Sequence, residues 1–154
     1  MGIKQRCEEE ADLAQSEKRY MLEHKGLYLF RKQEAQGRRA SVAAAAAEYW
    51  EEVPQDRRTL YLQLLASGDS QMQAALALSQ EADALAAEGE VKWAEAVGFH
   101  EADPPDYYPA MDAYQAAGSK WNAAREKYAH ARQVTDSAFG AYKLAFDQIL
   151  PPNP

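Results

Sequence analysis

Two rows of residues repeat every seven positions through the last third of the chain. The first row comprises Tyr114, Trp121, Tyr128, Thr135, Tyr142 and Ile149, and the second comprises Ala110, Ala117, Ala124, Ala131, Ala138 and Ala145. Rows offset by three residues lie on one side of a helix and form a seam for a partner helix. The pattern therefore predicts a long helix, ended by Pro151, whose aromatic side chains pack in a seam rather than stack on bases or a cofactor.

A second long helix is predicted from Asp56 to about Val97, again with a row of mixed sizes beside a row of small residues. The rows are Leu65, Met72, Ser79, Ala86 and Trp93, and Gly68, Ala75, Ala82, Gly89 and Ala96. The polar stretch from His100 to Asp106 separates the two helices, which favours an antiparallel helical hairpin with an alanine-rich seam. Paired residue numbers would then sum to roughly 205, which places Trp93 near the stretch from Ala110 to Tyr114.

The residues before the hairpin predict two shorter helices. The first spans residues 4–36 and ends at Gly37, which is followed by two arginines near the negative end of the helix dipole. Ser41 is predicted to cap a second helix that runs to Glu52, before Pro54. These helices would pack on one end of the hairpin, with Trp50 as a buried anchor at its base.

The fold predicted from these patterns is all-α. Its predicted domains are the N-terminal helices at residues 1–55, the hairpin at residues 56–150 and a proline-rich tail at residues 151–154. Residues 56–80 would join the N-terminal helices in a smaller unit. The residues predicted to serve as packing or interaction anchors are Trp50, Tyr61, Trp93, Tyr114, Trp121, Tyr128 and Tyr142.

The net charge of the chain limits the classes of molecule that it is expected to bind. The net charge is −7, and residues 81–154 alone carry six basic and twelve acidic groups. Such a chain is repelled by phosphate backbones and by anionic lipid heads, so nucleic acid and membrane partners are disfavoured. A single cysteine, Cys7, excludes an internal disulfide and favours a reducing, intracellular compartment. No apolar run reaches the ~20 residues of a membrane span.

The sequence offers little chemistry. None of the histidines His24, His100 and His130 lies three or four residues from another, and none forms the helical Glu-x-x-His metal pattern. This disfavours a metal carrier or a helical-bundle enzyme. Cys7 is followed by three glutamates that should raise the pKa of its thiol, so we expect an inert surface cysteine. No phosphate-binding glycine loop or nucleophile elbow occurs. We therefore expect no catalytic residues, no cofactor, no metal and no small-molecule substrate.

One segment resembles the corner between the second and third helices of an HMG box. The matching residues are Trp50, Val53, Arg57, Arg58 and Tyr61, and the stretch Gly26–Glu34 resembles the start of the first box helix. The resemblance covers residues 24–80 and implies a DNA-bending fold. However, the segment from Phe30 to Trp50 is about ten residues shorter than in that family, and the basic N-terminal strand is absent. A segment with a net charge of +1 lacks the cations that such binding uses, so a reuse for protein contacts is implied.

These observations together predict a non-enzymatic structural or interaction protein, a helical subunit of a large assembly such as a cytoskeletal, axonemal or organellar complex. Its partners would be other proteins. The alternative is an HMG-box-like protein that binds DNA or chromatin, and retention on duplex DNA would distinguish the two.

Overall fold

Three long helices make up most of the chain. The computed structural model describes residues 2–150, so the predicted proline-rich tail lies outside the described residues. Helix α1 spans Ile3–Tyr49, α2 spans Gln55–His100 and α3 spans Tyr107–Ile149, and no strand occurs among the described residues. The all-α prediction and the predicted hairpin of α2 and α3 are confirmed.

The prediction of two short N-terminal helices is wrong, because α1 continues through Gly37 as one helix. Gly37 does not adopt a positive φ, and its position is open, because a Cβ added there would have no atom within 4 Å. Ser41 is not an N-cap. Its hydroxyl donates to the carbonyl of Gly37 at 3.1 Å, which is the back-bonding of a serine inside a helix. A glycine at an exposed helical position weakens the helix by only ~1 kcal/mol, which tertiary packing outweighs.

The helix predicted to run to Glu52 ends at Tyr49, and residues Trp50–Glu52 form a short 3₁₀ turn between α1 and α2. Val53 is extended and buried, and Pro54 starts the next helix, since the amide of Arg58 donates to its carbonyl at 2.9 Å. The Arg58 guanidinium donates to the carbonyls of Val53 and Trp50 at 2.9 and 2.7 Å. These bonds tie the start of α2 to the turn, where the carbonyl of Trp50 also accepts from the amide of Val53 at 3.1 Å.

The chain divides into two compact units, each built from one stretch of every helix. The first unit comprises Met1–Gly26 and Leu78–Ala129, and the second comprises Leu27–Ala77 and His130–Pro154. The predicted boundary at residue 55 falls at the turn between α1 and α2, and its role as a domain boundary stays a prediction.

In the first unit α1 runs antiparallel to α2 and parallel to α3. Lys18 pairs with Glu90 and Lys25 with Asp83, so rising numbers in α1 meet falling numbers in α2. The hairpin register is close to the prediction: the rings of Trp93 and Tyr114 lie 4.8 Å apart between centroids. The buried residues near the chain start and the α2–α3 connector are Cys7, Ala96, Ala110, Ala113 and Tyr114.

The second unit has its own core beneath the Trp50–Glu52 turn. Its buried residues are Ala35, Val42, Ala46, Val53, Tyr61, Ala138, Tyr142, Ala145 and Ile149. Arg57 links the two arms of the hairpin here, because its guanidinium donates to the carbonyls of Asp147 and Leu150 at 2.8 and 2.7 Å. The carbonyls at the end of α3 thereby accept hydrogen bonds from a cation, and the helix dipole also favours a positive charge at this end.

Candidate protein-interaction surface

Aromatic rings of α3 lie directly over glycines of α2. In the first unit a Cβ added to Gly89 would lie 2.4 Å from Nε1 of Trp121. In the second unit a Cβ added to Gly68 would lie 2.4 Å from Cε1 of Tyr142. Any larger residue at these positions would push the ring away. The two glycines therefore have the packing role that the small-residue row of α2 predicted.

The buried tyrosine hydroxyls of α3 all have partners from α2. Tyr142 donates to Asp69 at 2.6 Å, and Tyr128 donates to Asp83. Tyr114 shares a hydrogen bond of 2.8 Å with Nδ1 of His100. Burial, followed by the accepting carboxylates, raises the pKa of Tyr128 and of Tyr142 above its usual value. These phenols are therefore neutral donors at physiological pH and are not bases.

Cations of α1 complete these contacts. In the second unit Arg39 donates two hydrogen bonds to Asp69, at 2.6 and 2.8 Å. The hydrogen bond from Arg39, followed by that from Tyr142, lowers the pKa of the Asp69 carboxyl against the opposing effect of burial. One cation, one carboxylate and one aromatic ring, each from a different helix, thus form a cluster.

The first unit repeats this cluster twice. Lys25 lies 3.5 Å from Asp83 and 5.8 Å from the ring centre of Tyr128. Lys18 contacts Glu90 at 2.5 Å and lies 5.3 Å from the ring centre of Trp121. Each charged group of these clusters is paired with a group from another helix, so the clusters join the helices.

The structure places the predicted anchor residues inside the units. Tyr61, Tyr114, Trp121, Tyr128 and Tyr142 are buried. Trp93 is half-buried and packs between Tyr114 and Trp121. Trp50, which was predicted to be a buried anchor, is only half-buried: its ring packs edge-on against Tyr61, and Arg58 lies 5.1 Å from the ring centre. Whether any of them contacts a partner stays a prediction.

Cys7 corrects one expectation, because it is fully buried rather than on the surface. It belongs to the core of the first unit, where burial raises the pKa of its thiol and Glu8 adds to the effect. Within residues 2–150, no group of three or more His, Cys, Asp or Glu side chains could hold a metal ion. Over the same residues, no helix is long and apolar enough to cross a membrane.

Large apolar side chains stay exposed on α1. In the first unit these are Leu13, Tyr20 and Leu22, and in the second unit they are Leu27, Leu29 and Phe30. Leu13, Tyr20 and Leu27 are seven residues apart, which predicts that they lie on the apolar face of the first helix. The buried face is instead the row Cys7, Ala14, Met21, Tyr28, Ala35 and Val42. The residues that this reasoning missed are thus apolar groups available to another molecule.

A groove separates α1 from α3 in the first unit. Its floor is formed by Ala14 and Gly118, where a Cβ added to Gly118 would lie 3.4 Å from Cα of Ala14. The other lining residues are Glu10, Leu13, Glu17, Tyr114, Gln115, Ser119 and Asn122. We call these nine residues the acidic groove. Its volume of about 290 Å³ lies at the lower limit of small-molecule sites and suits a few side chains of a partner.

Comparisons with known proteins give no relative for this chain: no family model, no curated protein and no solved structure matches it.

Proposed function

We propose that this chain is a non-enzymatic structural or interaction protein and a helical subunit of a larger assembly. The observation that carries the proposal is the contrast between paired polar groups and unpaired apolar ones. The acids and cations of the three clusters contact one another and the rings of α3. Leu13 and Phe30 of α1 are 60% and 64% accessible, so most of each side chain is not packed within its own unit.

The long helices support the same role. Aromatic residues over glycines and alanines set a close approach between helices, which gives stiff elements suited to holding partners at fixed positions. The acidic groove and a second groove, lined by residues 64–71 and 137–147, are open surface features rather than enclosed cavities of the kind that exclude water around a substrate. A buried single thiol is compatible with the reducing intracellular compartment that we propose for the chain.

DNA binding is the alternative, and the contacts of the second unit argue against it. The segment that resembles an HMG box has seven cations, and four of them are Arg31, Arg39, Arg57 and Arg58. Arg31 pairs with Asp136 at 2.5 Å, Arg39 pairs with Asp69, and Arg57 and Arg58 donate to backbone carbonyls. Cations already engaged in this way would have to break these contacts before they could neutralise phosphates.

Purification under native conditions tests the proposal. Tagged protein from its natural source should elute from gel filtration with at least one other protein. The variant Phe30→Glu should elute with a smaller amount of that partner. Gln33→Glu adds the same charge at an exposed polar position of α1 and is the matched control. Circular dichroism would check that both variants remain folded.

A parallel titration of labelled duplex DNA should show no binding at physiological salt. Micromolar affinity with a steep salt dependence would refute the structural role and support the alternative. Elution of the native protein alone would refute the role in an assembly.

A further inference from the structure

The two units carry very different charges. The first unit holds nine Lys and Arg residues against sixteen Asp and Glu residues, a net charge of −7. The second holds eight of each and is neutral. The whole excess of negative charge therefore belongs to the unit that contains the acidic groove. Its field attracts cations and steers a basic partner toward this unit.

The acidic groove itself contains carboxylates without cations. Its lining residues include Glu10 and Glu17 but no lysine or arginine. Neither glutamate forms an ion pair with the residues that the structure describes, whereas Lys18 next to Glu17 pairs with Glu90 on α2. Arg125 lies beyond Asn122, to which it donates a hydrogen bond. The groove thus offers negative charge that its own unit does not neutralise.

One carboxylate oxygen in the groove is buried without a partner. Oε2 of Glu17 is inaccessible to solvent and accepts no hydrogen bond. A carboxylate that lacks part of its hydrogen bonding in this way is stabilised by a cation placed beside it. Leu13 lies on the same groove and is 60% exposed, so an apolar contact is available beside the acids.

The geometry points to a specific occupant: the acidic groove binds a basic amphipathic segment of a protein partner, with Lys or Arg at Glu10 and Glu17 and an apolar residue on Leu13. This inference rests on the proposed function and specifies the chemistry of the partner. A nucleic acid would meet repulsion from the −7 charge of this unit, and a bare metal ion would leave Leu13 unused.

Fluorescence anisotropy with a designed peptide tests the inference. The probe is a short labelled helix of Leu and Lys at helical spacing, and a Leu and Glu peptide of the same pattern is the negative control. The Leu and Lys peptide should bind the full chain and the acidic peptide should not. Glu10→Gln with Glu17→Gln should weaken binding about five- to tenfold, since each lost charge contact is worth about twofold to threefold.

The matched control is Glu23→Gln with Glu126→Gln. It removes the same two charges from exposed positions of the same unit, outside the groove, and should change binding less than about twofold. Leu13→Gln should also weaken binding, whereas Leu22→Gln, at an exposed position outside the groove, should not. Circular dichroism confirms that each variant is folded.

Equal losses in the two double variants would overturn the inference, because binding would then follow the overall charge alone. Failure of the peptide to bind would overturn the inference as well. So would an unchanged affinity in Leu13→Gln combined with full displacement of the peptide by spermine, because a simple polycation would then bind as the peptide does. These outcomes leave the proposed function to its own test, because a partner can co-purify through another surface. If a partner is recovered, its loss in Glu10→Gln with Glu17→Gln but not in the control pair would support the inference.

Discussion

Replacing Gly89 by alanine should destabilise the protein, although alanine is the better helix former. At an open helical position this change stabilises by about 1 kcal/mol. At Gly89 the new methyl group would lie 2.4 Å from Nε1 and 2.6 Å from Cδ1 of Trp121. The indole is only 1% exposed and packs against Trp93, so it has little room to move.

The magnitude follows from two losses and one gain. Forcing a methyl group into a packed seam costs about 1–3 kcal/mol. Displacing the indole also stretches the hydrogen bond from Trp121 to the carbonyl of Ala86, which is 3.3 Å long, at a cost of up to about 1 kcal/mol. After the gain in helix propensity, the net loss is up to about 3 kcal/mol. For a chain of this size each kcal/mol lowers the melting temperature by about 2–4 °C.

Urea unfolding followed by circular dichroism and by tryptophan fluorescence measures the effect. Gly26→Ala is the control, because no atom lies within 4 Å of a Cβ at that position of the same unit. It should stabilise by up to about 1 kcal/mol. If Gly89→Ala were as stable as Gly26→Ala, the close approach of α2 and α3 at Trp121 would be wrong.

Three further results are expected. Tyr142→Phe should cost about 1–2 kcal/mol in urea unfolding through the lost bond to Asp69, whereas Tyr108→Phe, at a 64% exposed position, should cost nothing; equal effects would contradict the buried bond. Because the hydrogen bond from Arg39 lowers the pKa of Asp69 in the folded state, its stabilisation is present above the unfolded pKa and is lost as pH falls through the folded pKa. The stability difference between the parent and Asp69→Asn should therefore shrink below about pH 4, and a difference that persists to strong acid would refute the assignment. Ala124→Leu should cost about 1–3 kcal/mol because Ala124 is fully buried, and an unchanged thermal melt would place the alanine row in solvent.

The hairpin was predictable because its signal repeats many times. Each of its two helices carries two rows at seven-residue spacing, so a single exception does not obscure the pattern. The register was predicted less well. Gly89 lies against Trp121, and these numbers sum to 210 rather than the roughly 205 expected from the connector. A sequence locates the middle of a connector only to within a few residues, whereas the fit of a ring over a glycine selects one register.

Helix α1 was misread because local signals were given more weight than its period. Gly37 and Ser41 suggested an end and a new start, but Cys7, Ala14 and Met21 already begin a seven-residue row that continues past both. That row contains small and polarisable residues, so it is less conspicuous than the exposed leucines beside it. Burial by neighbouring helices determined the outcome, and single-helix signals contain no information about it.

The polar partners were only partly predictable. The sequence required partners for the buried tyrosine hydroxyls, yet it did not identify Asp69 and Asp83. A signal did exist: Lys18, Lys25 and Arg39 are separated from one another by multiples of seven residues, as are Asp69, Asp83 and Glu90. Matching these rows requires the relative direction and register of α1 and α2, which a single sequence does not supply. The acidic groove depends on the same unknown, because its residues come from α1 and α3.

A seven-residue repeat has an inherent ambiguity, since sliding one helix by seven residues brings every row back to an equivalent position. In the first unit such a slip would move Trp121 from Gly89 to Ala82 or Ala96. Both alternatives carry the methyl group for which the indole leaves no space. Only the native alignment therefore places a glycine beneath the Trp121 ring. The glycine raises the energy of the shifted alignments during folding without adding a contact to the native state. Gly89 weakens α2 as an isolated helix, yet it specifies the register in which α3 packs against α2.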